Sequence, residues 1–347
     1  MVVIEEISQD DDDDIVDEVE LSSEALLLLK ESIGTAGSDL GQFDGAWSVA
    51  LLEDLRLCVA ERNGCRLQLV QPSNLEEGCS TIPVIEALED VQGILRDGPF
   101  IWVADMGTHR VTRIDASTGE ITASVGDGSL RYPRCLCMQR SRRGELDDPT
   151  AAGPHLPSRL LYVGDSGNSR VVAYDVDTLS EVRAFGHAGE NDGAFTPGVL
   201  QLALAVCVDE KRGEVYVVDG HTHRISVFAA SSGRYIRCVG RPGKGPGEFK
   251  SPFDALIVKG MLVVTEATRV QVLTLEGSPK FVLEVPDASN LAGLCFDEDS
   301  STLYVCDYTR GCIWSLTVCW DDSADESAAS VETSSPLSSL PGGRQRL

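Results

Sequence analysis

VVDGHTHRISVF, from Val217 to Phe228, is an apolar run closed by an acid, a short polar turn, and a second apolar run opened by an arginine. Five further stretches are built the same way: VAERNGCRLQLV from Val59, VADMGTHRVTRI from Val103, VGDSGNSRVVAY from Val163, VTEATRVQVL from Val264 and VCDYTRGCIWSL from Val305. In four copies the acid and the arginine stand five apart (Glu61 and Arg66, Asp105 and Arg110, Asp165 and Arg170, Asp219 and Arg224). In the other two they stand three apart (Glu266 and Arg269, Asp307 and Arg310). The acids recur at intervals of 44, 60, 54, 47 and 41 residues. Strand-length runs rich in Val, Leu and Ile, repeated at that spacing, predict propeller blades and not helical solenoid units.

A glycine-rich string interlocks with this repeat. It reads Gly34, Gly37, Gly41, Phe43, again Gly186, Gly189, Gly193, Phe195, and again Gly240, Gly243, Gly247, Phe249, each time just before a new apolar run. Glycines at fixed offsets suit a connector that takes positive φ or passes close to another chain, and the phenylalanine can plug it between blades. A phosphate cradle would need a helix N-terminus next, and a strand follows instead. The two repeats define a blade of four strands: a after the connector, b ending at the acid, c starting at the arginine, and d leading to the next connector. The last copy lacks a fourth strand, while LLLLKESI before Gly34 occupies the place of one. The expected fold is therefore an all-β, six-bladed β-propeller of four-stranded blades, its ring closed by a strand at about 26–33 joining the C-terminal blade.

The 347 residues carry a formal net charge of −26, unevenly placed. Residues 1–22 are acidic and of low complexity, with five consecutive aspartates from Asp10 to Asp14, and are expected to form a disordered tail, as is the Ser-rich segment 321–347. The propeller is expected to occupy 23–320. No apolar stretch of about 18 residues and no basic-then-apolar leader is present, so the reading is of a cytoplasmic or nuclear protein without a membrane span. The eleven cysteines follow no framework spacing, and Cys58, Cys207, Cys238, Cys295 and Cys306 lie in apolar runs, as small reduced hydrophobes do. Cys135 and Cys137, a C-x-C pair, read the same way. Val2 to Glu6 ahead of the aspartate run has the composition of a SUMO-interacting strand, although a solubilising tail explains it as well.

The chain resembles the NHL repeat family, whose blades carry a V-A-D-x-x-N-x-R-I/V-like motif after a G-Q-F-x-x-P-like lead. The match rests on Gly41-Gln42-Phe43, Val103 to Val111, Val163 to Val171, Gly247-Glu248-Phe249 and Pro252, with glutamate replacing aspartate at Glu61 and Glu266. The resemblance implies a binding platform for protein or RNA. A RING-type ligase module often accompanies such propellers, but no CxxC pairs with histidine ligands occur here. A related branch comprises lyases and lactonases with a metal at the centre of the ring.

Each acid and arginine of the repeat reads best as part of the frame, because a partner-binding residue has no reason to recur in all six blades. Contact residues are expected between them and in the connectors: Arg62, Met106, His109, His221, Tyr308, Arg241 and Lys244. Asp219, His221 and His223 alternate and could meet one ion in an extended segment. His109 repeats the position of His223, however, so no metal or other cofactor is expected, and His155 and His187 fall in loops. Near the start of strand a only Gln92, Gln201, Asp254 and Asn290 offer channel ligands, a poor divalent set. For RNA the turn face offers Arg62, His109, Arg131, Arg134, His221, Arg241 and Lys244, against a body that is net negative. The leading expectation is a non-catalytic scaffold with a protein partner; a metal-dependent enzyme of the lyase or lactonase type comes second and RNA binding third.

Overall fold

The computed structural model describes residues 25–75, 78–84, 88–140, 159–189 and 196–320. The segments read as tails, 1–22 and 321–347, and the long a-to-b insertion 141–158 lie outside the described residues.

Six antiparallel four-stranded sheets form the blades. Blade 1 comprises Ala46–Leu51, Leu57–Glu61, Arg66–Val70 and Cys79–Thr81, and blade 2 comprises Val91–Asp97, Phe100–Asp105, Arg110–Asp115 and Ile121–Val125. Blade 3 runs through Pro133–Arg140, Arg159–Asp165, Arg170–Asp175 and Glu181–Phe185, and blade 4 through Ala203–Asp209, Glu214–Asp219, Arg224–Ala229 and Tyr235–Val239. Blade 5 uses Ala255–Val258, Met261–Thr265, Arg269–Thr274 and Pro279–Glu284. Blade 6 takes three strands from the C-terminal end, Leu291–Asp297, Thr302–Asp307 and Cys312–Trp320, and its outer strand, Ala25–Ile33, from the N-terminal end.

The core is divided among the seams. Each of six apolar clusters draws on two adjacent blades, as in the cluster of Ala205, Tyr216, Ile225 and Phe249 with Leu262, Val264 and Leu273 between blades 4 and 5. A blade is thus covered on both faces, and this is why its middle strands are apolar at consecutive positions: Leu57 to Glu61 is buried throughout.

Ring closure follows the register expected from the sequence. Ile33 pairs with Ile313 and Leu27 with Val318, and both Leu27 and Ile33 are buried in seams with neighbouring blades. At the other edge of the closing strand, Gly34 (φ +75°) turns the chain into the first connector. A Cβ there would lie 2.4 Å from Cε2 of Phe43, and one at Gly240 (φ +76°) would lie 2.2 Å from Cε2 of Phe249. Thr35–Ala36 and Arg241–Pro242 pair in parallel with Gln42–Phe43 and Glu248–Phe249, locking each connector around its plug.

The Gly186 string is corrected by the structure. Gly193 and Phe195 lie outside the described residues, and the plug against Gly186 is Leu200, whose Cδ1 would meet an added Cβ at 2.5 Å. Gly198-Val199-Leu200 therefore occupies the place of Gly41-Gln42-Phe43, and the parallel bridge of His187 to Val199 replaces the two-residue pairing. This connector carries five extra residues, so the sequence match fell on the wrong glycine.

Removal of residues 1–33 deletes a strand with two buried side chains, each contributing about 1.5–3 kcal/mol, and is expected to lower the melting temperature by about 10 °C or more. Removal of 1–20 is expected to leave it unchanged. Equal melting temperatures for the two truncations, measured by calorimetry, would contradict the closure.

Candidate functional site

The acid at the end of each b strand folds back onto the backbone that enters its own blade. The N–H of Asp44 donates to Glu61 Oε2 (2.8 Å), that of Arg131 to Asp165 Oδ1 (2.6 Å), and that of Lys250 to Glu266 Oε1. Asp105 accepts from Glu89 and Asp90 (3.1 and 3.0 Å), Asp219 from Gln201 and Leu202 (2.8 and 2.9 Å), and Asp307 from Ser289 and Asn290 (3.0 and 3.3 Å). All six acids are buried. A carboxylate out of water is tolerated when charge-assisted bonds replace its hydration, and each leaves the connector N–H groups satisfied.

The arginines complete this arrangement unevenly. Arg66, Arg170 and Arg269 each place Nε 2.7 Å from the acid of their own blade. Arg110 pairs with Asp127 (3.4 Å) and Arg310 with Asp287 (3.5 Å), while Arg224 opens its c strand opposite Asp219. The two blades with glutamate also hold a buried glutamine two residues after the arginine. Gln68 Nε2 donates to Glu61 Oε1 (2.6 Å) while its oxygen accepts the Gly41 N–H, and Gln271 repeats both bonds with Glu266 (2.7 Å) and Gly247. The longer acid and the amide form one unit, which the sequence reading missed; a glutamine two after the arginine, present only in those blades, was its signal.

Several turn residues named from the sequence serve as bridges between blades. His109 and His223 adopt left-handed backbone (φ 58° and 54°), and their Nδ1 atoms accept the N–H of Tyr132 (3.2 Å) and Ser251 (2.9 Å) in the following blades. Cys65 holds the same position in blade 1, its thiol donating to the Glu89 carbonyl at 2.9 Å. His221 is exposed and Met106 half-buried; Arg241 and Lys244 stand exposed on the connector into blade 5, where Arg241 pairs with Glu248 (2.9 Å). With Asp219 bonded to two backbone amides and His223 to a third, His221, His223 and Asp219 do not assemble as a metal site, and no group of three or more potential ligands occurs among the described residues.

Just inside the clasps lies a ring of side chains at the mouth of the central channel. In blades 1 to 4 the residue after the one paired with the acid is bulged out of register: Trp47, Gln92, Arg134 and Leu204. A bulge re-aims its side chain, here toward the axis, where Phe253 joins from blade 5; in blade 6 the corresponding residue is the small, buried Ala292, and Gly293 after it packs its backbone closely on blade 1. A Cβ on Gly293 would stand 2.7 Å from the Trp47 carbonyl oxygen. Trp47 meets Phe253 edge-on at 4.8 Å, and Tyr308 lies against Trp47 at 5.1 Å with its hydroxyl bonded to Asn63. Arg62 sits over Trp47 at 4.6 Å and donates to Asp90 (3.1 Å). Below the ring the innermost strands enclose a cavity of about 700 Å³.

The channel ligands named from the sequence divide accordingly. Gln92 and Asp254 line the channel; Gln201 and Asn290 precede the ring positions of their blades by three and two residues, in the connectors, where the acids hold their backbone amides. Trp47 and Phe253 were missed, and Arg134 was assigned to the turn face; for Trp47 and Arg134 the inward aim comes from the bulge and not from strand alternation. Asp254 accepts the N–H groups of Ala255 (2.8 Å) and Leu294 (3.0 Å), a bridge to blade 6 that Ser48 repeats from blade 1 to the N–H of Ile94 (3.2 Å). Removal from water raises its carboxyl pKa to about 6, with the two backbone bonds opposing. Of the cysteines, all free, Cys135, Cys137, Cys207 and Cys295 line the same channel, and burial holds their thiols protonated, pushing Cys137 up to about 12. They pack; they are not poised as nucleophiles.

Comparison with known proteins agrees with this architecture. The family model DUF5128, described as a 6-bladed beta-propeller, matches residues 205–304. No curated protein matches the chain. Among solved structures, a gluconolactonase from Xanthomonas campestris is similar at 16% identity and a TM-score of 0.59, covering 87% of this chain and 99% of that one. The virginiamycin B lyase of Staphylococcus aureus (12%, TM-score 0.55, 85% and 99%) and a chain of a nidogen/laminin complex (17%, TM-score 0.55, 78% and 97%) are similar as well. At these identities the likeness shows the six-bladed propeller fold.

Asp254 has a folded-state pKa raised above its unfolded value, so the folded chain binds the extra proton and this group's contribution to stability grows as pH falls from about 6 toward 4. Asp254→Ser, which copies blade 1, is expected to gain melting temperature relative to the parent as pH rises from 5 to 8. A difference that stays constant across that range would contradict the assignment.

Proposed function

We propose that the chain is a non-catalytic propeller of the NHL type that docks a protein partner on the face carrying its b-to-c turns and connectors. The observation that carries this reading is a set of exposed cations at the entries to blades 3 and 5, on a face whose connectors also expose Asp39, Asp44, Glu89, Asp127 and Asp287. The six acids are buried in clasps, whereas Arg131, Arg241, Lys244 and Lys250 are exposed, with Tyr132 and His221 beside them. Arg131 lies over the Tyr132 ring, and Tyr132 packs edge-on against His109 at 4.6 Å. The blade 5 connector is held from beneath by Arg269, which donates to the carbonyls of Lys244 and Glu248, so its cations are presented on rigid backbone. In a chain of net charge −26 such a patch favours an acidic protein segment. RNA fits less well, since no dense run of lysines tracks across the face.

A metal-dependent enzyme is the second reading, supported by the position of Asp254 in the channel and by the fold shared with a gluconolactonase and a lyase. Its weakness is chemical: both oxygens of Asp254 are bonded to backbone, and Gln92 is the one polar neighbour of metal-binding type in the mouth ring. No helix among the described residues is long and apolar enough to cross a membrane.

Affinity capture with the full chain, followed by identification and titration of the captured protein, tests the docking reading. Arg241→Glu with Lys244→Glu is expected to weaken binding by about tenfold or more, and Arg96→Gln, at the opposite end of the channel, to leave it unchanged. Equal binding by the double variant, or a stoichiometric metal whose chelation lowers the melting temperature, would overturn it.

A further inference from the structure

We propose that the mouth ring binds a small organic monocarboxylate with an aromatic or bulky apolar body, its carboxylate on Arg134 and its body against Trp47 and Phe253. This site is separate from the exposed cations of the docking face and does not rest on that reading. Arg134 reaches the mouth on a bulge, and its guanidinium is half-buried. Its Nη1 makes a long bond of 3.3 Å to the Gln92 side-chain oxygen, and its Nε is buried with no hydrogen-bond partner among the described residues. A desolvated cation left so incompletely bonded calls for an anion, and the planar fork of a guanidinium suits the two oxygens of a carboxylate.

The neighbours narrow the ligand further. Arg62 pairs with Asp90, which also accepts from Gln92 Nε2, while Arg134 reaches only the Gln92 oxygen; this edge therefore sets two guanidiniums against one carboxylate and leaves room for a single added negative charge. A phosphate dianion would set a second charge beside Asp90. One layer down stands Asp254, which disfavours a second carboxylate on the same ligand. The remaining wall is apolar: Trp47 and Phe253 meet edge to face, Leu204 closes the far side, and Ile94 and Leu136 follow below. Aromatic edges and faces in that arrangement accept a ring or a branched apolar group. The cavity of about 700 Å³ is within the range of small-molecule sites.

Isothermal titration of the full chain with 3-phenylpropionate tests the proposal, with 3-phenylpropanol, acetate and inorganic phosphate as controls. The expected result is one site per chain for 3-phenylpropionate and much weaker binding of all three controls. Arg134→Gln is expected to weaken binding about tenfold or more, Phe253→Ala to weaken it without restoring the alcohol, and Arg96→Gln to leave it unchanged. Absence of binding to the parent chain at millimolar ligand would overturn the proposal. Equal affinity for the alcohol, preference for phosphate, or undiminished binding by a folded Arg134→Gln would overturn it too.

Discussion

A buried carboxylate that accepts the backbone N–H groups of the segment entering its own blade is the interaction on which this propeller depends. It joins the end of strand b to the start of strand a, two points separated by 15 to 18 residues in five blades and by 34 in blade 3. Without it, the connector would bring amides into a seam that water cannot reach, and each unmet donor there costs about 1–3 kcal/mol. The clasp also explains why acid and arginine recur while everything around them varies. The acid's partners are backbone atoms, so the bond is indifferent to side-chain identity in the connector; the arginine is an adjustable second partner that pairs with the acid in blades 1, 3 and 5 and with a loop aspartate in blades 2 and 6.

The clasps stand next to the ring at the channel mouth. Directly after the clasped connector, the residue that follows the one paired with the acid lies out of register in blades 1 to 4, and its side chain turns toward the axis. A frame made of repeated parts thereby presents a ring of unlike residues: two aromatics and a leucine, an amide, a guanidinium and a buried alanine. The repeat supplies the geometry, and the bulged positions supply the chemistry.

Much of this was legible in the sequence, and the limits have physical causes. The apolar runs of blade 4 and the orphan run before Gly34 carried strand identity and closure, because every blade is buried on both faces and cannot tolerate polar residues at alternate positions. Glu61 and Glu266 looked like simple replacements of aspartate; that each works with a glutamine, Gln68 or Gln271, depends on a side-chain bond that strand pairing alone does not reveal. Gln201 and Asn290 were placed in the channel by counting from the apolar run, but the amides of both are drawn back into the connector by Asp219 and Asp307, and the inward positions fall later. His109 and His223, read as turn residues available for contact or metal, are engaged through Nδ1 with the following blade, a link set by left-handed backbone that no spacing rule anticipates.

Native-state hydrogen exchange at the Gln201 and Leu202 amides, compared between the parent chain and Asp219→Ser, tests the clasp most directly. In the parent these connector amides should exchange as slowly as core strand amides such as Val217, opening only with the blade. In the variant they should exchange far faster while Val217 remains protected. Fast exchange of both amides in the parent, or no change on substitution, would contradict the account.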